Sequence, residues 1–446
     1  MKINLPKNVK RIIDVLYDNG FEAYAVGGCV RDTLLGRNPQ DWDITTSAKP
    51  EQVKALFKHT IDTGIEHGTV TIMLDHVGYE VTTYRIDGEY EDARHPKEVT
   101  FTSNLVEDLK RRDFTINAMA YNDRTGLVDA FEGIDDLKNK VIRCVGTAAD
   151  RFSEDALRML RAVRFAAQLG FEIEEETCNA ILLLSDTIEK VSAERIQVEL
   201  VKLLVSDHPD EIRKAYELGL TKVFLPEFDV MMQKTQASKH HMYTVGEHTI
   251  KTLLNIKPDK TLRLTMLLHD VAKPMCSTID EAGKEHFKGH EARGAEVARD
   301  ILKRLKFDNR TTESCEALIR HHDDRPPITE RNIRRAMNRI GLEQFPQIFD
   351  VKRADVLGQS MYQREEKLKY VDDFEAMYEL ILEKNQCVTR KDLKISGRDL
   401  LALGMKPGRE IGDVLDKIFE MVLDEPELNT EDKLKELAHK MVTPLI

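Results

Sequence analysis

A glycine pair running into a short helix, Gly27-Gly28-Cys29-Val30-Arg31-Asp32, is followed nine residues later by Asp41-Trp42-Asp43. Side chains alternate across a β-strand, so carboxylates at i and i+2 project from one face and can share metal ions. Hard oxygen donors just beyond a glycine turn suit Mg²⁺, which keeps several waters and takes its other ligands from substrate phosphates. Gly27 and Gly28 let backbone approach a triphosphate closely, and the helix that follows offers free N–H groups to anions. Arg31, one turn in, is placed for bidentate phosphate contact. Taken singly, a glycine pair is a turn and Asp-x-Asp an exposed strand edge; in this order they outline a nucleotidyl-transfer site.

A chain of 446 residues corresponds to roughly three domains. No run of about 18 apolar residues occurs, and the basic start (Met1 to Lys10) has no apolar region behind it, so a cytoplasmic protein without membrane contact is expected. Six cysteines lie singly, with no Cys-x-x-Cys pair, which fits reduced thiols. A net charge of −12 argues at first against a nucleic-acid partner. Local clusters weigh the other way: Lys110-Arg111-Arg112, then Arg158, Arg161 and Arg164, then Arg331, Arg334, Arg335 and Arg339. The last set follows helical spacing opposite Ile333, Met337 and Ile340, and read alone it is a solvated helix face.

Residues 7–18 have the phase of an amphipathic helix stopped by Asn19-Gly20, followed by a strand from Glu22 to Val26 and a helix from Val30 to Leu35. A strand carrying Asp41 and Asp43, a helix after Pro50 and strands near 69–74 and 79–84 complete a mixed pattern to about residue 150. From Ser153 the periodicity is helical, as in Glu154–Leu169, Ala193–Val205, Gly289–Leu305 and Leu342–Leu357. The expected class is α+β: a mixed α/β head with a small β-sheet (1–150), then an all-α neck (151–210), body (211–380) and tail (381–446).

Two further clusters carry chemistry. Arg111-Arg112-Asp113-Phe114-Thr115-Ile116-Asn117-Ala118 sets two cations and an amide before an apolar segment, a phosphate or ribose clamp or else a helix C-terminus with stabilising cations. In the segment from Glu154 to Arg164, Asp155 and Arg158 are one helical turn apart and present an acceptor beside a donor. Cytosine and adenine both offer an exocyclic amine next to an unprotonated ring nitrogen, whereas uracil and guanine offer a carbonyl next to an N–H. A carboxylate–guanidinium pair therefore accepts C and A and rejects U and G. Without that context the pair is an ordinary intrahelical ion pair.

These motifs, in this order and spacing, resemble the bacterial class II tRNA nucleotidyltransferases, the CCA-adding enzymes and the related poly(A) polymerases. The resemblance implies Mg²⁺ on Asp41 and Asp43, nucleotide contacts from Gly28, Arg31 and Arg112, base selection by Asp155 and Arg158, and triphosphate contacts from Arg161 and Arg164. It implies tRNA as partner, with CTP and ATP added as C, C and A. Asp87 to Pro96 resembles the family's flexible loop, and Ile395 to Gly408 its tRNA-gripping tail. Poly(A) synthesis, and addition of only CC or only A, stay open as alternatives.

Eight of the 14 histidines fall between residues 240 and 322. His248, the His269-Asp270 dipeptide and Asp355 resemble the metal site of HD-type phosphohydrolases. Imidazole and carboxylate on facing helices suit a divalent metal, and His290 with His321 or His322 could complete a second position. Satisfied core histidines are the other reading. A phosphohydrolase whose head merely binds RNA is accordingly a further alternative.

Overall fold

The computed structural model describes residues 2–88, 99–236, 243–282 and 284–442. Most of the segment read as a flexible loop, residues 89–96, lies outside these, as do His240 and His241. The chain divides into two compact units, Met1–Asp229 and Val230–Ile446.

In the first unit, helix Lys7–Asp18 buries Val9, Ile12, Ile13 and Leu16 along one side, as their spacing dictates, and stops at Asn19 and the left-handed Gly20. Strands of this unit include β1 (Ala23–Val26), β2 (Ile44–Thr46), β3 (Thr60–Gly64), β4 (Thr69–Leu74), β5 (Val77–Thr83), β6 (Arg85–Asp87), β7 (Val99–Phe101), β8 (Met119–Asn122) and β9 (Gly126–Asp129). Seven form one sheet in the order β3-β4-β5-β2-β1-β8-β9, and β6 pairs with β7 separately. Every residue of β1 is buried, as expected of a central strand. Short β2 is antiparallel to β1 and parallel to β5, with Ile44 opposite Val81.

The strand expected to carry both aspartates begins only at Ile44. The Asp43 carbonyl nevertheless accepts the Val26 N–H at 3.0 Å, so the ladder extends one residue further.

The helix expected from Glu154 to Leu169 is broken. Ala148–Glu154 and Leu157–Leu169 are separate helices, and Asp155 between them is extended (φ −145°, ψ 102°). Its carboxylate accepts the Leu157 N–H at 3.1 Å, giving the backbone a partner that competes with helix continuation. Apolar periodicity does not register that competition. Leu157–Leu169 is buried almost all round, and Ala193–Leu204 packs against it.

The second unit is a helical assembly. Four helices open on side-chain caps, with Thr244, Asp259, Asp308 and Thr329 accepting N–H bonds from Glu247, Leu262, Thr311 and Asn332. Each cap contributes about 1 kcal/mol. Helices Gly397–Ala402, Arg409–Asp424 and Glu431–Val442 enclose a small core around Leu400, Ile418, Val422 and Leu434.

The arginines of helix Glu330–Ile340 divide: Arg331 and Arg339 lie on an exposed face, as read from the sequence, Arg335 is half-buried and Arg334 is buried. Arg334, 2% exposed, donates to the Leu423 and Asp424 carbonyls at 2.8 and 3.0 Å. Arg331 and Arg335 both grip the Asp424 carboxylate, and Arg339 pairs with Asp324. Cations at the end of Arg409–Asp424 satisfy its last carbonyls and complement its dipole. Among the described residues no helix is long and apolar enough to cross a membrane, and all six cysteines are free.

Candidate active site and metal centre

The parallel pairing of Ile44 with Val81 sets the first site. One step back along both chains, Asp43 falls beside Glu80, and laterally paired residues face the same way. Asp41, two residues earlier and ahead of the strand, lies close enough for its charge to act on both. Three carboxylates thus gather here, and among the described residues none is in an ion pair. Asp43 reaches solvent but lies low enough that burial raises its pKa; the Asp41 charge adds to this and Arg112 opposes it. Burial, then Asp43 and Asp41, likewise raise the pKa of Glu80. Unpaired, mutually repelling carboxylates of this kind fit a cluster of divalent cations.

Glu80 escapes a reading of the sequence. Its neighbours in space are 37 residues away in the chain, and only the strand register joins them.

Between the two glycines, Gly27 carries the left-handed φ of 81°, while Gly28 begins the helix. A Cβ at Gly27 would lie 3.0 Å from Arg112 Nη1, so glycine serves both the turn and the close approach of the guanidinium. Asp108, fully buried, stations that arginine from 3.7 Å. The buried Arg112 Nε has no hydrogen-bond partner.

Three expected phosphate ligands gather around Phe165. Arg31, Arg161 and Arg164 lie 5.0, 5.5 and 3.5 Å from its ring centroid. A hydrogen-bonded chain fixes them. Arg31 Nη1 donates to Asn117 Oδ1 at 2.7 Å, and Asn117 Nδ2 donates to Asp113 at 3.1 Å. Arg161 donates twice to Asp113, at 2.9 and 2.5 Å, and Arg164 Nε donates to Glu199 at 2.7 Å. Burial alone would raise the Asp113 pKa; Arg161 and Asn117 overcome it and hold the carboxyl well below the usual range.

Asp155 and Arg158 have other partners. Asp155 Oδ2 accepts from Arg195 at 2.6 Å, while Arg158 donates to Glu154 at 2.6 Å and to the Arg151 and Arg111 carbonyls at 3.2 Å. The ordinary intrahelical pair between them is therefore absent from the bonds described, because the chain breaks at Asp155.

In the second unit four residues converge. His248 Nε2 lies 3.0 Å from Asp355 Oδ1, 3.2 Å from His269 Nε2 and 3.6 Å from Asp270 Oδ2. His269 Nε2 is 3.3 Å from Asp270 Oδ2. Helices Val245–Leu254, Lys260–Leu268 and Phe345–Gly358 bring them together, the dipeptide following the second of these. His290 and His322 lie on the other side of Asp270. His321 turns away and bonds Asp324 at 2.8 Å.

A mixed sheet that presents clustered carboxylates beside a glycine turn, backed by arginines on a helical neck, defines a nucleotidyltransferase. Residues 23–143 match the family model for the poly A polymerase head domain. Residues 170–232 match the model for a probable RNA and SrmB-binding site of polymerase A, and 292–438 that for tRNA nucleotidyltransferase domain 2. The CCA-adding enzyme of Lactobacillus helveticus is 38% identical over 426 residues, covering 95% of this chain and 94% of that one. That of Ligilactobacillus salivarius is 35% identical over 444 residues, covering 98% of each. The crystal structure of the Bacillus stearothermophilus CCA-adding enzyme in complex with CTP superposes with a TM-score of 0.73 at 28% identity, covering 98% of this chain and 97% of that one. The chain belongs to the CCA-adding enzymes, which are tRNA nucleotidyltransferases. Nucleotidyltransferases of this kind use divalent metal ions.

Proposed function

We propose that this chain adds C, C and A to the 3′ end of tRNA from CTP and ATP, with Asp41 and Asp43 as the metal-holding pair. Support comes from the relatives' shared name, the neighbour solved with CTP, and the clustered carboxylates. The tRNA 3′ oxygen attacks the α-phosphorus; a phosphodiester bond forms, the α–β P–O bond breaks, and pyrophosphate leaves. Asp41 and Asp43, with Glu80 alongside, would hold Mg²⁺, which when bound would activate the hydroxyl as a Lewis acid and neutralise the leaving group. Arg31, Arg161 and Arg164 bind the triphosphate, and Arg112 and Gly28 line its approach.

In this reading Asp155 and Arg158 select the base, which requires Arg158 to exchange its Glu154 and carbonyl partners for the base edge. Arg158→Ala is expected to lower the preference for CTP over UTP by about tenfold or more, a discrimination of the size a lost hydrogen-bonding group gives. Single-turnover incorporation onto tRNA lacking its last three nucleotides measures it, and an unchanged preference removes the base-selecting role. The same tRNA offered labelled CTP and ATP, singly and together, tests the activity itself. Two cytidines and then one adenosine are expected; an adenosine tract, or arrest after CC with both nucleotides present, overturns it.

A second reading concerns the helical unit, because four donors brought in by three helices converge. His248, His269, Asp270 and Asp355 bind a divalent transition metal, as the imidazole-rich set suits, in an HD-type phosphohydrolase centre. A metal held by these residues would supply Lewis-acid chemistry for hydrolysis of a phosphate ester. His269→Ala is expected to abolish metal-dependent hydrolysis of 2′,3′-cyclic phosphate while sparing CCA addition. Hydrolysis that survives the substitution overturns this reading.

A further inference from the structure

We infer that Asp108 is a positioning residue for nucleotide binding, whose charge holds Arg112 against the glycine turn and off the metal-holding Asp43. This rests on the reading that Arg112 lines the triphosphate's approach.

An aspartate with arginines three and four residues on is, by itself, an ordinary helix-surface pairing. Here the carboxylate is fully buried and draws donors from three stretches of chain. Its Oδ2 accepts the hydroxyl of Thr45, two residues beyond Asp43 on β2, at 3.1 Å. Its Oδ1 accepts the backbone N–H of Arg85, where β6 begins, at 3.3 Å, and two bonds from Arg111 at 3.0 and 2.8 Å. Buried carboxylates are tolerated when bonded this fully, and the bonds fix Asp108 relative to the strand that follows Asp43.

The two arginines are held differently. Arg111 is bonded to Asp108 through two nitrogens, whereas Arg112 Nη2 stands 3.7 Å from Asp108 Oδ2, beyond hydrogen-bond reach. Among the described residues the Arg112 side chain donates no hydrogen bond, and its buried Nε has no partner. Charge and packing, not bonds, therefore keep it in place. Burial is the largest influence on this guanidinium and disfavours its charge; of the carboxylates that sustain the charge, Asp108 acts most strongly and Asp43 next. On its other side, Nη1 lies 3.0 Å from where a Cβ of Gly27 would stand. Without the Asp108 charge, Asp43 is the strongest attraction left, and a guanidinium tied by no bond moves toward it. The triphosphate then loses a cation at the turn, and that cation neutralises a carboxylate of the cluster.

The test is a double-mutant cycle on the full chain, read as equilibrium binding of labelled CTP with tRNA absent. Asp108→Asn keeps an acceptor oxygen and the shape but removes the charge, and is expected to weaken CTP binding about tenfold. In a chain already carrying Arg112→Gln, the same substitution is expected to change binding by less than about twofold, because the residue it acts through is gone. A loss that persists undiminished in the Arg112→Gln chain means that Asp108 supports the strand rather than the arginine, and overturns the inference. So does an Asp108→Asn chain that binds CTP as the parent does, while Arg112→Gln weakens it. If the urea transition shows that Asp108→Asn alone does not fold, the cycle is run with Arg111→Gln throughout, which turns the buried ion pair into a neutral hydrogen-bonded one and still leaves Arg112 unheld. Unchanged CTP binding in the Arg112→Gln chain overturns both the nucleotide-lining reading of Arg112 and this inference.

Discussion

Asp43→Asn leaves CTP and tRNA bound but lowers the rate of CMP incorporation by about 10³-fold or more, about 4 kcal/mol of transition-state stabilisation. The reasoning is geometric. Asp43 stands between Asp41 on its own segment and Glu80 on the neighbouring strand, so its loss divides the carboxylate cluster at the centre. Asparagine keeps the shape and the Val26–Asp43 backbone bond while removing the charge that holds divalent cations. Rapid-quench incorporation together with equilibrium CTP binding separates the two effects. Incorporation within tenfold of the unsubstituted rate overturns the metal-holding role.

The second large effect is on stability. Glu199, 4% exposed, is the acceptor for Arg164 Nε at 2.7 Å and lies 3.8 Å from Arg161. Glu199→Ala leaves the buried Arg164 guanidinium without its carboxylate while Arg161 keeps Asp113, and removing one partner of such a buried pair costs about 3–5 kcal/mol. The urea midpoint of the N-terminal unit is expected to fall accordingly. Glu199→Gln, which keeps an acceptor but no charge, is expected to recover part of the loss. A shift below about 1 kcal/mol would mean that water replaces the carboxylate there.

Much of the candidate chemistry was readable because it is local. The closeness of Asp41 to Asp43 and the turn at Gly27 are properties of a few adjacent residues, although the strand read at the aspartates begins only at Ile44. The helix at Lys7–Asp18 and the strand at Thr69–Leu74 are likewise written in their own periodicity. What escaped depends on partners far along the chain. Glu80 acquires its neighbours only through parallel strand pairing, and Arg334 its acceptors only when the end of helix Arg409–Asp424 is in place. Within a row whose outer members Arg331 and Arg339 do face water, the one buried arginine cannot be singled out until those carbonyls are known. The break at Asp155 is a different failure: a side chain outcompeted the helix for a backbone N–H, which hydrophobic phase cannot report. His321 and His322 could not be told apart either, since successive residues at a helix end point in directions about 100° apart.

Gathering Arg31, Arg161 and Arg164 about Phe165 has a thermodynamic consequence. Each is paired with a carboxylate, Asp32, Asp113 and Glu199, so the repulsion among them is offset when the polypeptide first collapses. Side chains held in this way are stiff beforehand, and a polyanion bound there, as proposed, would have few of them left to immobilise.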